Sequence, residues 1–340
     1  MRTLLIRGTL MHARKTLKHL ALPLMLAVVT VAAPIAALAQ QAAPSTPSAP
    51  FKFPPASPAN FTAASPSRAT VEAFLKAAWG YDPDRVWQVW AIEKTAAPGV
   101  SRVIVQVAQK NDPQHQIGSA TFLVTPDGKH LIAANLDMLP FGADPYAETR
   151  ELLRQRANGP SRGAASKKYE IVEFADFECP HCKVAEPVIQ RLLSDFPQAH
   201  YVFENFPLTS IHSEAFKAAA YSVCVAQQAG DATFFKYADA VFENQAQLTP
   251  DQSDAALGDA ATKVGLSATK VGACSYTSAA KDAVNASIQL GKDLYVNETP
   301  MLFVNGRQIP VGEVANHQLP YETLKEIVAY QFKMDSGPEK

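Results

Sequence analysis

The chain has 340 residues, a formal net charge of −1 and 47% apolar residues. That length allows two modest domains with extensions, and the apolar content can build a core without help from disulfides. No basic block follows the N-terminus, so the composition gives no reason to expect nucleic acid as a partner.

Residues 1–39 have the layout of a secretory signal peptide. Several arginines and lysines precede an apolar run, LALPLMLAVVTVAAPIAALA, which ends in A-L-A. This segment predicts export and a periplasmic location. An uncleaved membrane anchor is the alternative, because the run approaches spanning length. Pro23 and Pro34 interrupt the run and favour cleavage.

Two segments of different character follow. Residues 40–67 are rich in Pro, Ala and Ser, which predicts a disordered linker. Residues 68–142 predict a small α+β N-terminal domain. In it, RATVEAFLKAAW (68–79) has the apolar spacing of a helix, and three β-rich runs come next. The third run, 118–139, contains a P-D-G turn and predicts a hairpin.

Residues 143–166 predict a helical linker and hinge. The helix lies within 144–159 and ends at Gly159, and the segment GPSRGAASKK has the composition of a flexible joint. The alternative is a helix that packs on either of the two domains it connects.

Residues 167–335 predict an α/β domain. The strand YEIVEFADF, a helix over 180–196 and the strand AHYVFENF form a βαβ unit. An alanine-rich helical stretch, about 211–295, precedes two short strands and a last helix. Because that stretch lies between strands of one sheet, it predicts an inserted helical subdomain.

Four cysteines lie beyond the export segment, at positions 179, 182, 224 and 274. An even number of cysteines in an oxidising compartment indicates disulfides. Spacing favours the pair Cys179–Cys182, which leaves Cys224 with Cys274. Two buried free thiols are the alternative for the latter pair.

The segment C-P-H-C can be compared with three other uses of paired cysteines. Attachment of a c-type haem needs His directly after the second cysteine, where this chain has Lys183. A structural zinc site usually needs a second ligand pair, which the distant Cys224 and Cys274 do not provide. A purely structural bridge would close too small a loop to contribute much stability. We therefore predict a redox pair with no metal and no other cofactor.

The position of this pair at a strand-to-helix junction favours a reactive thiol. Pro180 suits the first turn of a helix, which places Cys179 at the helix N-terminus, where free N–H groups and the dipole stabilise a thiolate. We expect Cys179 to be the exposed attacking thiol, with a pKa well below about 8.5 and with His181 adding to the effect. Cys182, one turn later, is the resolving thiol. A stabilised thiolate makes the disulfide form a strong oxidant.

The segment EFADFECPHC, followed by KVAEP, resembles the active-site region of the thioredoxin superfamily, and C-P-H-C resembles its DsbA-like branch. Pro187 matches the helix-kinking proline of that superfamily, and NETPMLFVNGR (297–307) resembles the segment around its cis-proline. The resemblance covers 167–335. It implies an α/β, thioredoxin-like fold with an inserted helical subdomain, preceded here by the small α+β N-terminal domain.

The resemblance also implies roles for single residues. Pro300 matches the cis-proline, and Thr299 the backbone edge onto which a substrate peptide adds. Glu173 matches the buried acid beneath the disulfide, with a surface glutamate as the alternative. The second pair of cysteines matches a non-catalytic disulfide in the insertion. The chain departs from the family at Glu298, where relatives usually have glycine.

Together these features predict an exported thiol–disulfide oxidoreductase that oxidises unfolded or reduced exported proteins and is recycled by a membrane redox partner. TPDGKHLIAANLDML resembles, more weakly, the end of the dimerisation domain of DsbC/DsbG-type isomerases. That likeness implies a homodimer through 68–142 and makes a dimeric isomerase or reductase the alternative. An alternative of another class is a periplasmic metal-binding or chaperone-like binding protein.

Overall fold

The structure is a computed structural model, and it describes residues 52–114, 116–134, 138–309, 311–316 and 319–336. The predicted signal peptide and the first part of the predicted linker, up to residue 51, lie outside the described residues. Among the helices that are described, none is both long enough and apolar enough to cross a membrane.

The N-terminal domain is one helix packed on an antiparallel sheet, as its sequence pattern predicts. Helix α1 (Arg68–Trp79) begins after Ser67, whose side chain accepts a hydrogen bond from the Thr70 amide. Val71 and Leu75 of α1 pack against the sheet. The strands follow one another in sheet order as β1 (Arg85–Lys94), β2 (Ser101–Gln109), β3 (Gly118–Val124), β4 (His130–Ile132) and β5 (Met138–Pro140).

The segment just before α1 differs from the disordered linker expected over 40–67. Phe61 packs against the N-terminal core, and the amides of Thr62 and Ala63 donate to the Ile92 carbonyl at 3.0 and 3.1 Å. The Ser101 hydroxyl donates to the carbonyl of Ser65. Partial burial of the Phe61 ring and backbone pairing offset the entropy lost on ordering this Pro-rich segment.

The second domain is built on a five-stranded mixed sheet. Its strands run in the order β10 (Arg307–Ile309), β9 (Met301–Val304), β7 (Glu170–Ala175), β8 (His200–Asn205) and β6 (Ser161–Gly163). Strands β7 and β8 are parallel and are joined by α3 (Pro180–Asp195), while every other neighbouring pair is antiparallel. This βαβ unit with added antiparallel strands confirms the predicted fold class.

Helices cover both faces of this sheet because side chains alternate along each strand. Ile171 and Tyr201 face α3 and the insertion, whereas Val172 and Phe174 face the opposite core. The remaining helices are α2 (Ala147–Arg156), α4 (Ala215–Ala229), α5 (Asp231–Glu243), α6 (Ser253–Lys263), α7 (Ala268–Ser275), α8 (Ser278–Asp293), α9 (Val311–Ala315) and α10 (Tyr321–Asp335). Helices α4 to α8 form the inserted subdomain.

The segment expected to be a linker and hinge, 143–166, differs from that expectation because it is part of the second domain. Leu153 of α2 is buried in the core that contains Phe174 and Phe303. Gly159 passes so close to β8 that an added Cβ would lie 1.9 Å from the Phe203 carbonyl oxygen. Glycine is therefore required there for close approach, and β6 then pairs along β8.

The C-terminal end of α1 is fixed to the second domain by two side chains. The Arg307 guanidinium donates to the Ala78 carbonyl at 2.9 Å, and the Tyr330 hydroxyl donates to the Lys76 carbonyl at 2.7 Å. The Ala78 carbonyl lies in the last turn of the helix, where carbonyl groups lack intrahelical partners, and the Lys76 carbonyl also accepts from the Gly80 amide at 3.0 Å. At Gly80 an added Cβ would lie 2.2 Å from the Tyr330 hydroxyl, so a larger residue would disturb this contact.

Candidate active site

The two cysteines of C-P-H-C lie where β7 ends and α3 begins. Cys179 is the N-cap residue of α3, with φ −73° and ψ 118°, and Pro180 occupies the first helical position. The Cys179 carbonyl accepts from the amides of Cys182 at 3.1 Å and Lys183 at 3.4 Å. Cys182 lies one turn into the helix. The helix N-terminus thus lies at the reactive pair, because proline fits the first turn and cannot continue the strand.

The two thiols have opposite pKa shifts. A hydrogen bond from Cys182 is the largest of the influences that lower the pKa of Cys179, to about 5, and the amides of His181 and Cys182 contribute. Burial raises the pKa of Cys182 well above the usual range of a thiol, and the nearby Cys179 and Glu173 raise it further. At neutral pH the pair therefore holds one proton, which resides on Cys182.

Cys179 is less accessible than expected, since only 4% of the residue is exposed. Its Sγ lies 3.4 Å from the carbonyl oxygen of Thr299, on the loop that precedes β9. This loop, which joins the sheet 120 residues later in the chain, covers the thiol. The expectation of an exposed Cys179 was wrong. The position of a cysteine at a helix N-terminus indicates a reactive thiol, but it does not show whether a segment from elsewhere in the chain covers that thiol.

The loop over the thiol contains a cis peptide bond between Thr299 and Pro300. Both residues are buried. Among the described residues, no group hydrogen-bonds the Thr299 hydroxyl oxygen. The Thr299 backbone lies beside the Cys179 sulfur. A peptide that formed backbone hydrogen bonds with Thr299 would therefore lie next to Cys179.

Glu173 lies on β7, on the face that α3 covers, and only 2% of it is exposed. The Tyr201 hydroxyl donates a hydrogen bond to its carboxyl group. Burial is the largest influence that raises the pKa of Glu173, to about 8, and the Glu186 carboxylate adds to it, while Arg162 opposes both. The carboxyl group is therefore mostly protonated at neutral pH. A surface position for Glu173 does not agree with this burial.

His181 follows Pro180 and points outward from the first turn of α3. Its side chain is exposed, and its Nδ1 lies 3.3 Å from the Asn316 side-chain nitrogen. The backbone amide of His181 contributes to the low pKa of Cys179.

Cys224 and Cys274 form a disulfide between α4 and α7, far from the reactive pair in sequence. The bridge closes a loop of 50 residues inside the insertion. Within the described ranges, no cluster of three or more His, Cys, Asp or Glu side chains has the arrangement needed to hold a metal ion.

The turn before Cys179 depends on an aspartate that sequence reasoning did not single out. Asp176 is 1% exposed, and its carboxylate accepts hydrogen bonds from the amides of Glu178 and Leu208, both at 2.8 Å. The same group lies 2.7 Å from Nδ1 of His212. Aspartate that bonds the amide two residues later is typical of turns, and this pattern was visible in the sequence.

A second missed residue comes from the inserted subdomain. Gln245 lies in a short 3₁₀ turn after α5, and its side-chain amide donates to the carbonyls of Phe177 and Cys179, both at 2.8 Å. No pattern in the sequence indicates this contact, because 66 residues separate Gln245 from Cys179.

Known proteins are similar to parts of this chain. A family model described as Thioredoxin matches residues 155–329. The chain is 35% identical over 150 residues to the Na(+)/H(+) antiporter NhaA 1 of Salinispora arenicola. The match covers 43% of this chain and 22% of that protein. The chain thus spans less than a quarter of the length of the curated relatives it matches.

Solved structures of two bacterial proteins are also similar. Oxidised BdbD from Bacillus subtilis is 21% identical, with a TM-score of 0.45, and the match covers 52% of this chain and 93% of that one. The thiol-disulfide exchange protein alpha-DsbA2 from Wolbachia pipientis is 19% identical, with a TM-score of 0.45, and the match covers 54% and 95%.

The strand–helix junction, the low-pKa thiol and its buried partner form a dithiol site whose arrangement suits thiol–disulfide exchange. The matched family model spans more than half of the sequence, including β7, both cysteines and β9. The chain belongs to the thioredoxin family.

Proposed function

We propose that this protein oxidises thiols of exported proteins by dithiol–disulfide exchange through Cys179 and Cys182. The observation that carries the proposal is the position of Cys179 at the N-terminus of α3, one turn before the buried Cys182, and the lowered pKa of Cys179, about 5, agrees with it. A thiolate of that pKa stabilises the reduced enzyme, so the disulfide form is an oxidant that tends to give its bond to a substrate. A low pKa also makes Cys179 a good leaving group.

The reaction has two exchange steps. A substrate thiolate attacks Sγ of Cys179, the Cys179–Cys182 bond breaks, and its electron pair leaves on the Cys182 sulfur. A second substrate thiolate then attacks the substrate sulfur of the mixed disulfide and expels Cys179 as thiolate. The substrate loses two electrons and gains a disulfide, while the enzyme pair gains those two electrons.

Glu173 supplies a proton in this scheme. The Cys182 thiolate released in the first step lies in a buried site, where its charge is unfavourable, as its raised pKa reflects. A neutral Glu173 beneath it can give up a proton to that sulfur and recover one from solvent later. The amide edge at Thr299 holds the substrate chain beside Cys179, with cis Pro300 shaping the loop.

Export places this chemistry in an oxidising compartment. The charged, apolar and A-L-A segments of 1–39 support secretion to the periplasm. The substrates are then unfolded or reduced exported proteins. Each turnover leaves Cys179 and Cys182 reduced, so a membrane redox partner that accepts two electrons must regenerate the disulfide.

An isomerase or reductase that works as a homodimer through 68–142 is the second candidate. The observation that favours it is the free edge of the N-terminal sheet, where Met138 and Leu139 of β5 are 62% and 43% exposed. Two copies joined there would bring two reactive pairs into one assembly. A periplasmic metal-binding or chaperone-like protein is the candidate of another class, and full activity in vivo of a Cys179→Ser variant would favour it.

The equilibrium of the dithiol with glutathione separates these candidates. We expect Cys179 and Cys182 to remain reduced in glutathione mixtures that are oxidising enough to form the thioredoxin disulfide. This result would give the pair a reduction potential well above thioredoxin's value of about −270 mV. A potential as low as thioredoxin's would contradict the oxidase. Refolding of a scrambled-disulfide substrate tests isomerisation, and the mass in solution with and without 68–142 tests dimerisation. A monomer in both cases would remove the dimer.

A further inference from the structure

The inserted subdomain reaches the reactive turn through one side chain. After α5 ends at Glu243, the chain forms a 3₁₀ turn over Gln245–Gln247. From this turn, Nε2 of Gln245 donates one hydrogen to the Phe177 carbonyl and one to the Cys179 carbonyl, each at 2.8 Å. The two acceptors lie on either side of Glu178, so one amide group fixes both peptide planes ahead of α3.

The Cys179 carbonyl is also the acceptor for the first hydrogen bonds of α3. It receives the amides of Cys182 and Lys183, at 3.1 and 3.4 Å. Gln245 therefore holds the peptide group that follows Cys179, and the orientation of this group sets how the helix N-terminus lies relative to the Cys179 side chain. Donation to this carbonyl also withdraws negative charge from the peptide group nearest the thiolate.

Gln245 is held in place by packing on both sides of its turn. The Phe242 ring, at the end of α5, lies 5.2 Å from the ring of Phe177, and Leu248 after the turn is buried. The Lys183 ammonium donates to the carbonyl of Glu243 at 3.3 Å. The amide of Gln245 is therefore preorganised before any substrate arrives, because the two segments it joins cannot separate without opening the core.

We propose that Gln245 is a positioning residue of the dithiol, which holds the turn before α3 so that the helix N-terminus stabilises the Cys179 thiolate. This inference rests on the proposed function in that it takes Cys179 as the attacking sulfur. It makes the inserted subdomain part of the machinery that sets thiol reactivity, in addition to covering one face of the sheet.

The substitution Gln245→Glu keeps the shape of the side chain, removes both donors and places a negative charge beside the Cys179 peptide. Gln245→Met removes the donors alone. Both leave the surrounding titratable groups in place: Glu173 on β7, Asp176 and Glu178 in the turn, His181, Cys182 and Lys183 on α3, His212 in the loop after β8, and Glu243 at the end of α5. The matched control is Gln247→Glu, which adds the same charge two residues away on an exposed side chain.

The experiment measures the alkylation rate of reduced full-length protein by iodoacetamide across pH, together with ultraviolet thiolate absorbance. We expect Gln245→Glu to move the thiolate midpoint to higher pH and to lower the alkylation rate near pH 5 by about threefold to tenfold, since a hydrogen bond to a charged network is being lost. Gln245→Met should shift the midpoint in the same direction by less. Gln247→Glu should match the wild type.

Near-ultraviolet circular dichroism identifies the variants that are folded, and at least one substitution at Gln245 must pass this check for the comparison. A wild-type midpoint in every folded Gln245 variant would overturn the inference. So would an equal shift in Gln247→Glu, which would point to general surface charge. The oxidase proposal would fail on a different measurement, a low reduction potential of the wild-type Cys179–Cys182 pair. That result would not affect the interpretation of the alkylation rates.

Discussion

The phenol of Tyr201 donates a hydrogen bond to the carboxyl group of Glu173, and both side chains are buried on the face of the sheet that α3 covers. The Arg162 guanidinium lies over the Tyr201 ring, 5.0 Å from its centre, and pairs with Glu186 at 3.2 Å. An uncharged donor, rather than a cation, therefore contacts the buried acid directly. Burial dominates its titration, and the carboxyl group stays protonated at neutral pH.

The titration of Glu173 predicts a pH-dependent stability. Its pKa is about 8 in the folded protein and ordinary, near 4.5, in the unfolded chain, so only the folded state binds the proton between these values. Its contribution is complete below pH 4.5 and is lost as pH rises towards 8. In urea denaturation, Glu173→Gln should thus be more stable than wild type at pH 8 by on the order of 4 kcal/mol, and nearly equal at pH 4. Parallel pH curves for the two proteins would contradict this expectation.

The thiolate of Cys179 predicts that reduction stabilises the protein. Its pKa is about 5 when folded and near 9 when unfolded, so the contribution is complete above pH 9 and is lost as pH falls through 5. At pH 7 the reduced form should gain about 2 kcal/mol over the oxidised form from this group, and at pH 5 most of that gain should disappear. Urea denaturation of both redox forms at the two pH values measures it. In Cys179→Ser, the pH-dependent gain should be absent.

The disulfide between Cys224 and Cys274 predicts a stability effect that is separate from catalysis. It closes a loop of 50 residues, and its removal restores entropy to the unfolded chain. The double variant Cys224→Ala/Cys274→Ala should lose about 2 to 4 kcal/mol of unfolding free energy. Its dithiol–glutathione equilibrium should equal that of the wild type. A changed equilibrium would show that this bridge also influences the reactive pair.

The contacts that hold α1 against the second domain predict local rather than global loss of stability. Arg307→Met with Tyr330→Phe removes donors from the carbonyls of Ala78 and Lys76. Amide hydrogen exchange at the end of α1 should accelerate, corresponding to about 2 kcal/mol, because the helix end loses its side-chain hydrogen bonds to the second domain, while the Lys76 carbonyl keeps the Gly80 amide. Arg102→Met, which removes an exposed pair with Glu93, should change exchange by at most about 0.5 kcal/mol. Unchanged exchange in the double variant would mean that other contacts hold the two domains together.

The sequence by itself determined those features that depend on neighbouring residues. Helical spacing predicted a helix at 68–79, where the structure has α1, and β-rich composition predicted the strands that follow it, of which β1 is the first. Pro180 placed the start of α3 at the reactive pair, and the dipole of any helix then favours a thiolate at Cys179. These conclusions require only local backbone geometry, which repeats along the chain and leaves a periodic pattern.

Only the tertiary structure decided the features that join distant segments. The cover of Thr299 over Cys179, the two hydrogen bonds of Gln245 and the protonation of Glu173 each depend on residues from other elements. Likewise, Phe61 orders a segment whose Pro-rich composition predicts disorder. Burial and hydrogen bonding across tens of residues leave no periodic pattern in the sequence, because they arise when the completed core excludes water and brings those groups together.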